Sequence, residues 1–253
     1  MKRTLRLVLA SVVVALFRIA HATHATHTEL DVLPSRNETV VLLHGLARTK
    51  NSMNKMASEL EADGYRVINH GYPSTKSTID ELAADVFKTL GPQIKQAEAV
   101  HFVTHSLGGI ILRQHLEDHT IPNLGRVVML GPPSRGSEVP DRLGGIFLFK
   151  WLNGPAGNQL GTDTNSVPLQ LGAPAFDLGV IAGDRSVNPI LSMMIPGPDD
   201  GKVALARVKP SVLTDYAQIH ATHTFIARNP TAIAQTKHFL QHGEFKKQEV
   251  FHD

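Results

Sequence analysis

Short, nearly unbroken apolar runs recur along the chain with helical patterns between them, and this alternation constrains the fold more than any other feature. Asp215-Tyr216-Ala217-Gln218-Ile219, a less apolar segment, reads as the last strand, and the runs before it are Val40-Val41-Leu42-Leu43, Tyr65-Arg66-Val67-Ile68, Val100-His101-Phe102-Val103, Val127-Val128-Met129-Leu130 and Leu178-Gly179-Val180-Ile181-Ala182. They do not alternate apolar with polar residues, so they suit strands of a parallel sheet covered on both faces. Between them, Ser52 to Ala62 places Met53, Met56, Ala57 and Leu60 on one helical face and stops at Gly64. Thr78 to Leu90 opens with a capping box, Thr78-Ile79-Asp80-Glu81, and closes at Gly91. Strand and helix in this order imply right-handed crossovers and a doubly wound α/β fold, with a mainly parallel sheet and helices on both faces. One interval, about 137–174, lacks a clear strand and holds Gly144, Gly145, Gly154, Pro155, Gly157 and Gly161, which marks a small insertion. Its apolar stretch Ile146-Phe147-Leu148-Phe149-Lys150-Trp151-Leu152 fits either a lid over a binding site or a short helix buried against the sheet.

The ends of the chain read differently. Lys2, Arg3 and Arg6 precede an apolar run from Leu7 to Phe17, and Ala20-His21-Ala22 supplies a small-x-small cleavage site, so residues 1–22 are expected to be a signal peptide. As a helix that run reaches about 16 Å, short of the ~30 Å of a bilayer core, which disfavours a spanning segment. Arg18, just beyond the run, keeps an uncleaved interfacial anchor open. Residues 23–37 read as a flexible tail, whose His24 and His27, with His21 before them, lack the rigid surroundings of a metal site. Residues 38–253 form the expected domain. Four of the 25 basic residues lie in the first 18 positions, leaving 21 against 23 acidic residues in the body. That balance gives no footprint for nucleic acid. The absence of cysteine excludes disulfides, thiolate metal sites and a cysteine nucleophile.

Two strand ends carry the chemistry. Val103-Thr104-His105-Ser106-Leu107-Gly108-Gly109 lies between an apolar run and the helical pattern Ile110 to His119. A serine at such a junction sits on a tight turn with its hydroxyl above the strand ends, and the helix behind it offers oriented N–H groups to a developing oxyanion. Small residues are needed two positions either side of the serine. Gly108 satisfies this; Thr104 is bulkier than expected. Val41-Leu42-Leu43-His44-Gly45-Leu46 ends another strand, so the N–H of Leu46 is expected to join that of Leu107 as the second oxyanion donor. His44 reads as a tie for its own loop rather than as a base.

With these residues the sequence resembles the α/β-hydrolase superfamily, specifically small bacterial triacylglycerol-lipase-like enzymes and esterases. Leu43-His44-Gly45-Leu46, His105-Ser106-Leu107-Gly108-Gly109, Asp200-Gly201-Lys202-Val203 and His223-Thr224-Phe225 carry the resemblance, over about residues 38–240. It implies a serine nucleophile, an acid and a histidine in that chain order, and ester hydrolysis through an acyl-enzyme. Only about 16 residues separate Ala22 from the first run, too few for the hairpin that opens the full eight-strand fold. A minimal, six-stranded version is therefore expected.

Within that frame Ser106 is the nucleophile. The base should lie between the last strand and the last helix, Pro230 to Leu240, which leaves His220 and His223; His223 matches the lipase-like pattern and is preferred. His238 and His242 read as surface residues of the closing helix. For the acid, Asp200 in the loop Gly197-Pro198-Asp199-Asp200-Gly201 is preferred and Asp184 is the alternative, with Asp199 a solvated or turn-forming residue. Gly197 to Lys202 is too short for a phosphate loop and lacks the hydroxyl after its lysine. No cofactor and no metal ion is expected. The expected substrate is a small-molecule or lipid ester, with transient contact with a lipid interface and no obligate protein partner. An amidase, thioesterase or acyltransferase would use the same residues, and a non-catalytic binding module remains the alternative outside enzymes.

Overall fold

The computed structural model describes residues 37–247, apart from 144, 146 and 188 and the side chains of 146–152, 190 and 191. The expected signal peptide, the histidine-bearing tail up to residue 36 and His252 lie outside the described residues. Strands β1 (Glu38–Leu43), β2 (Arg66–His70), β3 (Ala99–His105), β4 (Leu124–Leu130), β5 (Leu178–Gly183) and β6 (Asp215–Ile219) form one sheet. Its order is β2-β1-β3-β4-β5-β6 and every pairing is parallel. The five apolar runs and the expected last strand are these six strands, and β3 lies centrally between β1 and β4.

Both faces of the sheet are covered, which is why its strands carry apolar residues at successive positions. On one face Val41, Leu43, Val100, Phe102, Val127 and Met129 pack with helices α2 (Ile79–Ile94) and α3 (Leu107–Asp118). On the other, Val40, Leu42, Val103, Val128, Leu130 and Ile181 meet α1 (Asn54–Ala62) and, at the C-terminus, α9 (Pro230–His242). Each fully buried Leu, Ile or Val side chain contributes about 1.5–3 kcal/mol relative to exposure. Helix α1 follows a 3₁₀ turn, Lys50–Met53. In the capping box of α2 the Thr78 N–H donates to Glu81 at 3.0 Å. This helix runs past the expected stop at Gly91 and through Pro92, because Ile94 in its last turn is buried against the core.

The interval between β4 and β5 contains α4 (Glu138–Leu143), α5 (Phe147–Asn158) and α6 (Val167–Gln170). Helix α5 breaks at Gly154, whose φ of 64° and ψ of −169° are not helical. Beyond the break the chain is core: Ala156 and Leu160 are buried in the cluster around α2 and α3. The Ala156 N–H donates to Ser77 O at 3.2 Å, and the Gln159 side chain accepts the first N–H of α2, from Ile79, at 2.7 Å. The lid expectation rests on 146–152, whose side chains lie outside the described set. Short helices α7 (Pro189–Ser192) and α8 (Leu205–Val208) flank the loop that leads towards β6. Among the described residues no helix is long and apolar enough to cross a membrane.

Burial pushes the imidazoles of His44, His70, His101 and His105 below their usual value and that of His115 down to about 4. Their neutral forms are favoured in the fold, whereas in the unfolded chain they take up protons near pH ~6.5. The stability they support is therefore complete above that pH and lost as pH falls towards their folded values. We expect the melting temperature, followed by circular dichroism, to begin falling near pH ~6.5, well above the ~4 at which carboxylates titrate. A constant melting temperature down to pH ~5 would contradict this account.

Candidate active site

All the elements of the site hang from the C-terminal ends of strands, where a doubly wound sheet leaves its loops free. Strand β3 ends in Ser106, which precedes α3 directly and has φ 52° and ψ −120°. For a residue with a Cβ this conformation costs about 1–3 kcal/mol, held in place here by packing on both sides. Gly108 makes the turn fit: a Cβ there would lie 2.6 Å from the carbonyl oxygen of Leu43 and 2.9 Å from that of His44. Gly45 plays the reciprocal part, since its Cβ would lie 2.9 Å from His105 Nδ1 and 3.2 Å from Ser106 Cβ. The missing side chains thus let the loop after β1 approach the turn after β3. Thr104, two residues before the serine, is fully buried.

The hydroxyl of Ser106 lies 3.0 Å from His223 Nε2, and His223 Nδ1 lies 2.7 Å from Asp200 Oδ2. All three residues are buried, at 8%, 4% and 2% exposure. With Nδ1–H donating to the carboxylate, Nε2 is left to accept from the serine hydroxyl. Asp200 Oδ1 accepts the N–H groups of Lys202 and Val203 at 3.0 and 2.9 Å, and its carbonyl accepts the His223 N–H at 2.9 Å. The carboxylate is therefore oriented from both sides. His223 opens a 3₁₀ segment, His223–Arg228, just beyond β6. Among the described residues the N–H groups of Leu46 and Leu107 have no acceptor.

The alternatives weighed for acid and base pair with each other instead. Asp184 accepts from His220 Nδ1 and Gln218 Nε2, both at 3.0 Å, and the His220 side chain is 74% exposed. Asp199 is a turn former, though buried rather than solvated: it accepts from the Gly201 N–H at 2.6 Å and from the Ser192 hydroxyl at 2.9 Å. His238 donates to the Glu244 carbonyl at the surface. His44 ties its loop, with Nδ1–H to Gly45 O at 2.9 Å, the Tyr72 N–H to Nε2 at 3.3 Å, and its ring stacked on Tyr72. The Tyr72 hydroxyl donates to the His44 carbonyl.

A cavity of about 260 Å³ opens over Ser106 and His223, walled by Leu46, Pro133, Val139, Pro140, Leu160 and Val203. A larger hollow of about 710 Å³ lies at the opposite, N-terminal edge of the strands, beside Leu124 and Asp177, and holds none of these groups. Among the described residues no group of three His, Cys, Asp or Glu is placed to hold a metal ion.

No protein-family model matches the sequence, and no curated protein matches it at the sequence level. Solved structures do match in three dimensions. The mature lipase BlEst2 of Bacillus licheniformis superposes with a TM-score of 0.60 at 20% identity, covering 82% of this chain and 92% of that one. Phospholipase PlaB from Legionella pneumophila gives 0.56 at 17% identity, over 79% of this chain and 57% of its own. The type II thioesterase BorB from the borrelidin biosynthetic cluster gives 0.50 at 17% identity, over 82% and 92%. The fold is that of the α/β-hydrolases.

Within this fold two contributors to the candidate site were missed in the sequence. His105 is buried beside the serine, and its Nε2–H donates to the His223 carbonyl at 3.0 Å, tying the β3 turn to the histidine segment. Its signal was adjacency to Ser106 alone. Gly131, directly after β4, has φ 54°, and a Cβ there would lie 3.1 Å from Asp200 Oδ2 and 3.2 Å from His223 Nδ1. A glycine between an apolar run and Pro132-Pro133 was the available sign. Gly131→Ala is expected to cost about 1–3 kcal/mol by crowding. Its crystal structure should show the Asp200–His223 hydrogen bond lengthened or broken; an unchanged pair would show that the glycine is dispensable.

Proposed function

We propose that this chain is an exported serine hydrolase that cleaves carboxylic esters, a lipase or esterase, with Ser106, His223 and Asp200 as its catalytic triad. The observation that carries the reading is the hydrogen-bonded series from Ser106 through His223 to Asp200, lying beneath a cavity with apolar walls. Ser106 Oγ attacks the ester carbonyl carbon while its proton passes to His223 Nε2. Asp200 holds the tautomer and stabilises the imidazolium. The N–H groups of Leu46 and Leu107 receive the negative charge that develops on the carbonyl oxygen. His223 then gives its proton to the departing alcohol oxygen, leaving an acyl group on Ser106. Water attacks that acyl carbon, its proton goes to His223, and collapse releases the carboxylic acid and returns the proton to Ser106. Residues 1–22 direct the chain out of the cytoplasm in this reading, and its substrate is a small or lipid ester.

Thioester cleavage is the second reading, favoured by the structural likeness to a thioesterase. It uses the same residues and differs only in the leaving atom, so competition between matched oxygen and sulfur esters separates the two.

Ser106→Ala is expected to abolish both ester turnover and labelling by a fluorophosphonate while the circular dichroism spectrum is kept. Turnover that survives the change would remove the serine from the chemistry. A paired measurement tests the acid. Replacing a triad carboxylate by its amide lowers kcat by about 10⁴-fold in a well-studied protease. Asp200→Asn should show a loss of several orders of magnitude, and Asp184→Asn should stay within about tenfold. The reverse pattern would transfer the role to Asp184.

A further inference from the structure

Among the described residues, the cavity over Ser106 and His223 is lined by two cationic side chains, Arg48 and Lys202, and by no Asp or Glu. Each follows a component of the site by two residues, Arg48 after Leu46 and Lys202 after Asp200, so both are positioned by the elements that build the site. The Lys202 N–H is held by Asp200 Oδ1 at 3.0 Å, and its carbonyl accepts the Ser137 hydroxyl at 2.7 Å. Arg48 follows Ala47, a left-handed residue with φ 53° whose N–H is fixed by Ser74 Oγ at 3.1 Å. Among the described residues neither cationic head has an ion-pair or hydrogen-bond partner.

The asymmetry extends outward. Two grooves that share Phe225 and Arg228 adjoin this face; one also includes Arg48, the other Arg185 and His220, and neither is lined by Asp or Glu. Asp184, beside the second groove, is already engaged by His220 and Gln218. Yet the body of the chain carries 21 basic against 23 acidic residues, so this positive field is a local concentration and not a share of a general excess. Two like charges facing one apolar-walled hollow repel each other, and desolvation adds to the cost. Burial first and then Arg48 hold the Lys202 ammonium below its usual value, against the opposing pull of the Asp200 carboxylate, which is itself engaged by His223. An anion in the cavity removes both penalties, with the guanidinium offering paired donors and the ammonium a point charge.

We propose that the substrate is an ester bearing an anionic group, phosphate or carboxylate, which Arg48 and Lys202 hold as specificity-determining residues. This rests on the ester-hydrolase reading above and narrows its substrate class.

Matched pairs of soluble esters test it: 1-butanoylglycerol against its 3-phosphate, and ethyl hexanoate against the monoethyl ester of adipic acid. The kcat/KM ratio of anionic to neutral member should be about tenfold or more in at least one pair, and should fall in about 0.5 M salt. Lys202→Gln and Arg48→Gln should each lower that ratio about fivefold or more, and Lys202→Arg should restore it. Preference for the neutral member in both pairs, or a ratio indifferent to both variants, would overturn the proposal. So would turnover of the neutral ester that rises in phosphatidylglycerol vesicles and falls in both variants, with no anion preference among the soluble esters, because the cations would then serve the lipid surface. Calorimetric titration of Ser106→Ala with glycerol 3-phosphate supplies a readout independent of turnover. Saturable binding that disappears in Ser106→Ala/Lys202→Gln supports the anion site even if none of the four esters is hydrolysed, in which case the hydrolase reading and the ester assignment fall while the anion site stands. Hydrolysis of the neutral esters without anion preference, and without glycerol 3-phosphate binding, leaves the hydrolase reading and overturns this one.

Discussion

Everything at the candidate site depends on how closely the end of β1 approaches the end of β3. Backbone atoms of Leu43 and His44 lie where a side chain at position 108 would project, and His105 and Ser106 lie where one at position 45 would. Parallel neighbours in a sheet normally send their loops apart, because each must cross to a helix. Here the two glycines allow the loops to touch before they diverge. The contact packs against Ser106 and its unfavourable φ. Packing energy stored in the six-stranded sheet holds a turn that no short peptide would keep.

A second constraint comes from the far side of the sheet. His223 reaches Ser106 only because β6 lies two positions beyond β4 and its following loop folds back across the ends of β5 and β4. Gly131 leaves the space through which the imidazole and the Asp200 carboxylate meet. His105 then links the histidine segment to the β3 turn through one hydrogen bond spanning 118 residues of chain. Neutral imidazole is required for that bond to sit in a buried setting, which explains why the tie uses histidine and not a permanently charged side chain.

Most of the sheet was readable from the sequence because strands buried on both faces leave unbroken apolar runs, as β1, β3 and β5 do, and the part-buried edge strand β6 was placed by its position before the last helix. The turn at Ser106 was equally plain, since strand, serine, glycine and helix follow one another within a few residues. Pairings between distant segments were not. Local patterns favoured His223 and Asp200 but did not show which carboxylate meets which imidazole, and the structure pairs His223 with Asp200 against Ser106 and His220 with Asp184 at the surface. The extension of α2 beyond Gly91 was hidden for a similar reason: Ile94 is held by tertiary burial, which overrides the local helix-breaking signal of Gly91 and Pro92. The roles of Arg48 and Lys202 were invisible in a chain of nearly balanced charge, because a positive field arises from convergence in space.

The edge position of β6 has a consequence for how order is distributed in time. This strand pairs with β5 alone, and the segment it delivers must travel to a turn made 117 residues earlier. Edge elements open more readily than central ones, and contacts between distant segments form late because they close long loops. Ser106 and its turn belong to the central strands, while His223 follows the edge strand. Opening of that edge would separate His223 from Ser106 while the centre of the sheet stays formed. The contact between the two is therefore expected to be among the first lost under stress and the last to form as the chain assembles.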